Sequence, residues 1–111
     1  MSETNYDASK SSTKAETVVE FLESYQPGMD IEEVPGIGPA TSEQLQNNGV
    51  ETIQALLGLY LSGVAKDVDT QTVCETFFVK LKELCPKVNA HTVTFAIAHL
   101  ADHLNLFIYE D

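Results

Sequence analysis

Between Val34 and Leu57 the chain reads VPGIGPATSEQLQNNGVETIQALL, and this run restricts the fold more than any other. Two glycines flank Ile37, Pro39 follows, and Gly49 closes the polar stretch. Proline suits the first turn of a helix because its missing amide hydrogen is not needed there. Glycine suits the left-handed position just past a helix end. The run therefore predicts a helix over about 39–48, entered through a tight turn whose glycines tolerate positive φ and close backbone approach. Ile37 is placed to plug the angle between the flanking helices. A turn of this kind aims the amides of Gly36, Gly38, Ala40 and Thr41 outward at a helix start. Unsatisfied donors and the positive end of the helix dipole hold phosphate there without any charged side chain. Thr41 adds a hydroxyl. Such a contact grips a strand and reads no base.

Helical spacing recurs along the rest of the chain. Thr13 and Glu16 form a capping-box pattern, and a first helix is expected over about 14–24 with Val18, Val19, Phe21 and Leu22 as its apolar stripe. Gln26-Pro27-Gly28 stops it, and a short helical turn follows around Asp30 to Val34. A further helix is expected over about 52–63, with Ile53, Leu56, Leu57, Tyr60 and Leu61 at helical spacing. Asp69 or Thr70 caps the next, which runs to Leu84 on a stripe of Val73, Phe77, Leu81 and Leu84, before Pro86 breaks it. Asn89 caps the last, about 90–107, with Val93, Ile97, Leu100, Leu104 and Phe107 facing inward. No alternating strand run and no internal repeat is present. The expected fold is all-α: a compact bundle of five or six short helices, SAM-like, over residues 13–111. Residues 1–12 are polar and read as a disordered arm, in which Ser11, Ser12 and Thr13 offer hydroxyls for phosphorylation.

Charge narrows the function. The chain of 111 residues carries 17 acids against 6 lysines, a formal net charge of −11. That balance argues against non-specific adhesion to nucleic acid or anionic membrane. The longest weakly polar run, Ala55 to Ala65, is too short to span a bilayer, and the N-terminus lacks an apolar signal core. A nuclear and cytoplasmic protein with reduced thiols is expected. Cys74 and Cys85 are about three helical turns apart, too far for a disulfide, and read as small buried residues. His99 and His103, with Asp102 beside them, lack a third ligand at metal-binding spacing. Cys85 with His91, or His99 with Asp102, lacks the orienting group and oxyanion arrangement of a catalytic site. No enzyme activity, metal, cofactor or small-molecule substrate is expected. Gly58 interrupts a helix interior at a cost of about 1 kcal/mol relative to Ala, which marks close packing at a dimer face or within the monomer.

The apolar–Pro–Gly–Ile–Gly–Pro–x–Thr run, with an amphipathic helix and Gly49 behind it, resembles the helix-hairpin-helix motif of DNA-binding proteins, here at about 31–49. From about Thr17 to Ile108 the chain resembles barrier-to-autointegration factor, a family of small dimeric helical proteins of animal nuclei. The resemblance rests on Phe21, IEEVPGIG entering the hairpin, Gly49, LLGLYL at Leu56 to Leu61, FFVKLKELC at Phe77 to Cys85, Asn89-Ala90, and HLADHLNLF at His99 to Phe107. One extra residue falls near Pro86 to Val88. The resemblance implies a homodimer that bridges double-stranded DNA non-specifically, with chromatin, or a virion for a viral member, as its setting. It implies DNA contacts at Gly36, Ile37, Gly38, Ala40, Thr41 and Gln44 of the hairpin, at Ala90 and His91 of the last helix, and at Lys14 of the arm. It implies a dimer face including Gly58, Tyr60, Lys80 and His103. The family's lysines are replaced here; between Gly36 and Gly49 the only ionised residue is Glu43. Lys80 stands where the family groove for LEM-domain proteins has an aromatic, which argues against that partner. The rival expectation is an acidic protein-interaction module that kept the fold and lost DNA, modulating a DNA-binding relative.

Overall fold

The computed structural model describes Tyr6, residues 15–65 and residues 67–104. Ser11, Ser12, Thr13, Lys14 and Phe107 lie outside the described residues, and with them the arm contact and half of the first capping pattern. Among the described residues there are five α-helices and no strand: α1 Ala15–Ser24, α2 Pro39–Asn47, α3 Ile53–Leu61, α4 Thr70–Leu84 and α5 Ala90–His103. A single 3-10 turn at Ile31–Glu33 stands between α1 and α2. The chain is all-α, as its periodicity predicts.

Local chemistry sets the boundaries. Asp30 Oδ1 accepts from the Glu32 amide at 2.8 Å and starts the 3-10 turn. Thr52 Oγ1 accepts from the Ala55 amide at 3.0 Å to begin α3. Asp69, rather than Thr70, begins α4 by accepting from the Thr72 amide at 2.8 Å. The end of α2 is sealed when Gly49 takes φ +86° and the Val50 amide returns to the Leu45 carbonyl at 2.8 Å, so the last carbonyls keep partners.

Helix α5 is the centre of the bundle, packing on α4, α3 and α1. Its Val93, Ala96, Ile97, Leu100 and Ala101 are fully buried, among Leu56, Tyr60, Phe77 and Leu81 of the neighbouring helices. Contact with α3 on one side and α5 on the other widens the buried stripe of α4 to include Phe78, which the sequence reading left out, and Cys74, which it read as a small buried residue. Helix α1 has the opposite geometry. Its main packing partner is α5, and Val18 and Phe21 are buried while Val19, expected in the stripe, is 51% exposed. Leu61 and Leu84 are only half-buried at helix ends.

Tyr6 departs from the expected disordered arm. It is buried, its carbonyl accepts from Gln71 Nε2 at 3.0 Å, and its ring lies 6.4 Å from that of Phe78 and 6.1 Å from that of His91. An aromatic side chain carries enough apolar area to hold a position inside an otherwise polar segment.

Candidate nucleic-acid interface

The hairpin turn is built by Val34-Pro35-Gly36-Ile37. The Ile37 amide donates to the Val34 carbonyl at 3.0 Å, and Gly36 takes φ +94°. Proline at the second position and a positive-φ glycine at the third are the requirements of a type II turn. Gly36 is also pressed against α5. A Cβ there would stand 2.9 Å from Val93 Cγ2 and 3.1 Å from Thr92 Cγ2. Gly38 differs. Its φ of −101° and ψ of −174° are extended backbone open to any residue, and a Cβ would meet nothing within 4 Å. The conformational argument that the sequence reading applied to both glycines therefore holds for Gly36 alone. At Gly38 the missing side chain leaves the approach to the helix start open.

Helix α2 opens with the Ser42 amide donating to the Gly38 carbonyl at 2.9 Å. Pro39 has no amide hydrogen. Among the described residues, the amides of Gly36, Gly38, Ala40 and Thr41 have no acceptor in the chain. These four are the donors the turn presents, and Gly36, Gly38 and Ala40 are exposed while Thr41 is half-buried. Gln44 and Glu43 are exposed one turn further on. Ile37 is a correction: its amide is spent inside the turn and its side chain is buried, so it shapes the site without touching a ligand.

The start of α5 meets the hairpin at Gly36, through Thr92 and Val93. It too lacks a side-chain cap, since Asn89 makes no capping bond to the helix. Side chains of Asp30, Thr52 and Asp69 cap the 3-10 turn, α3 and α4. Among the helix starts whose capping residue is described, α2 and α5 lack such caps, and these two converge. Of the residues expected to contact DNA here, Ala90 is buried in the core, which removes its side chain from any surface role. Helix α5 has neighbours on three sides, and its first residue turns into them. His91 is half-buried, its ring 4.5 Å from that of Phe78.

Two cations missed in the sequence reading adjoin this corner. Cys85 Sγ lies 4.0 Å from the Thr41 carbonyl, which brings the end of α4 beside the first turn of α2. Lys87 is exposed in the turn that follows, closed by the Val88 amide on the Cys85 carbonyl at 2.9 Å. Lys82 lies over the Phe78 ring at 5.3 Å. Proximity to the hairpin depends on a contact 44 residues apart in the chain, and no spacing rule reveals it. On the other side of Gly36 is a cleft of about 510 Å³ lined by Thr17, Glu20, Ser24, Glu32 and Glu33 among others. The hairpin is thus acidic toward α1, and the exposed Lys87 lies in the α4–α5 turn, two residues beyond the Cys85 contact.

The residues expected at a dimer face separate. Tyr60 is a correction. It is fully buried, edge-on to Phe77 at 5.4 Å, with its hydroxyl 3.6 Å from Cys74 Sγ. Burial, and then the Cys74 contact, push its phenol pKa up. Gly58 and His103 are exposed. A Cβ at Gly58 would meet nothing within 4 Å, which removes close packing inside the monomer as its reason. Lys80 is half-buried, its ammonium 3.2 Å from Ser62 Oγ. Cys74 and Cys85 are free, buried thiols, and burial pushes both pKa values up, which disfavours the reactive thiolate. His99 is exposed and 2.8 Å from the Phe95 carbonyl. Among the described residues no group of three or more His, Cys, Asp or Glu is arranged to hold a metal ion.

No protein-family model matches the chain, and no solved structure matches it. A segment of 30 residues is 53% identical to the DNA repair and recombination protein RadA of Halobacterium salinarum, in each of two strains. The match covers 27% of this chain and 9% of RadA.

Proposed function

We propose that this chain binds double-stranded DNA without reading its sequence, as a non-enzymatic protein that holds phosphates through backbone amides. One observation carries the proposal. The starts of α2 and α5, neither with a side-chain cap, meet at Gly36, and Gly38 leaves the α2 amides uncovered. An uncapped N-terminus is a ready-made phosphate site, and the start of α2 offers one with its amides open. The RadA segment adds support, since RadA is named for DNA repair and recombination. Acidity is tolerated because the donors are amides, with Lys87 as the cation in the adjoining turn. Bridging of two duplexes by a homodimer is the arrangement that the resemblance to barrier-to-autointegration factor favours, and Gly58 on an open face of α3 is compatible with it.

A gel-shift titration with short linear duplex tests the proposal, comparing wild type with Gly38→Asp. The introduced carboxylate would cap α2 itself and repel phosphate, so affinity should fall by about tenfold or more, the scale of one charge-assisted hydrogen bond. For the wild type, log K against log salt should have a slope between about −1 and −3, because few counterions are released. A steep slope, or full affinity in Gly38→Asp, would overturn the amide mechanism. A second reading, an acidic protein-interaction module, is favoured by the Glu20, Glu32 and Glu33 cleft beside the hairpin. Failure of the wild type to shift duplex at tens of micromolar would select it.

A further inference from the structure

The seat of Tyr6 has no part in the function proposed above, and it is built. Its walls are Phe78 of α4 and His91 of α5, with ring centroids at 6.4 and 6.1 Å from that of Tyr6. Gln71 Nε2 holds the Tyr6 carbonyl at 3.0 Å and is steadied by Glu75 Oε2 at 3.1 Å. The Tyr6–Gln71 bond joins positions 65 residues apart and fixes Tyr6 to the bundle. His91 is itself packed on Phe78 at 4.5 Å, and Thr92, the next residue, touches the hairpin at Gly36. The seat thus adjoins the corner where α2 and α5 begin.

We infer that Tyr6 is an intramolecular clasp: its docking makes His91 a wall of an aromatic seat and withholds that ring from an anionic ligand at the start of α5. Tyr6 docking and phosphate contact at His91 exclude one another. This rests on the reading of the α2–α5 corner as the DNA face. A ligand that needs the corner must bind the undocked fraction, so its apparent affinity is lowered by that fraction.

Carbethoxylation of the full chain by diethyl pyrocarbonate, read residue by residue by mass spectrometry, tests the clasp without DNA. The exposed His99 and His103 serve as internal references. His91 should react more slowly than both in the wild type and in Tyr6→Phe, and severalfold faster in Tyr6→Ala, with helical circular dichroism unchanged in all three. Equal His91 rates in the three proteins would overturn the clasp. Duplex titration is the second arm. Tyr6→Ala should bind about three- to tenfold tighter, as expected if the open state is populated at about 10–30%. Unchanged or weaker binding with His91 unmasked would overturn the exclusion. If no variant binds duplex while Tyr6→Ala still unmasks His91, the DNA reading falls and the clasp stands.

Discussion

Gly36 and Gly38 are two residues apart and do opposite things. Gly36 is required by its φ of +94° and by the side chains of Thr92 and Val93 against it. Gly36→Ala should cost about 1–3 kcal/mol, from strain at a positive φ and a Cβ that cannot be housed without moving α5. Thermal unfolding by circular dichroism should show Tm lower by roughly 5–15 °C. Gly38→Asp should leave Tm unchanged or raise it, since the position is extended, open and suited to a capping carboxylate. Equal destabilisation by both would refute the distinction. A turn with glycines is legible in the sequence. Which glycine serves the backbone and which serves the ligand is not, because the difference is made by α5, more than fifty residues further on.

Helix boundaries are local, and most were legible. Thr52 and Asp69 cap α3 and α4 through bonds to amides three residues on, within the reach of a sequence pattern. Asp69 also titrates. The Thr72 side chain and then its backbone amide hold the Asp69 carboxyl below its ordinary range. The folded state thus favours the carboxylate. Its stabilising contribution is complete above the unfolded value of about 3.9 and is lost as pH falls through the lower folded value. Asp69→Asn keeps the cap and removes the charge. Its Tm should lie below that of the wild type near about pH 6, and the gap should close in the acid limb. A gap that persists through the acid limb would show that the carboxylate is not the source. The missing cap at α2 was readable from glycine at its start, whereas at α5 the sequence reading expected Asn89 to cap and it makes no such bond; the meaning of both comes from their meeting at Gly36, which no single helix displays.

At the scale of the molecule, the surface charge is uneven. Glu20, Glu32 and Glu33 line one flank of the hairpin, and Lys87 follows the helix that ends beside Thr41 on another. A net charge of −11 therefore describes the chain and not the corner where the helix starts converge. Assembly is decided at this scale too. Gly58 is exposed on α3 with open space above it. Gly58→Glu should leave helix content intact and, if this face joins two copies, convert the sedimenting species from dimer to monomer. A dimer that survives the substitution would move the interface elsewhere.

The sequence by itself determined the all-α class, the positions of the breaks, the cap of α4, and the amide-presenting turn before α2. Each follows from bonds and side-chain periodicity within a few residues. Tertiary structure decided that Ile37 and Ala90 face inward, that Tyr60 belongs to the core, that Tyr6 docks, and that the Cys85 turn brings Lys87 toward the hairpin. Those outcomes depend on contacts 44 and 65 residues apart and on how many neighbours each helix acquires. The same helical period yields a narrow buried stripe on α1 and a wide one on α4, and only packing chooses between them.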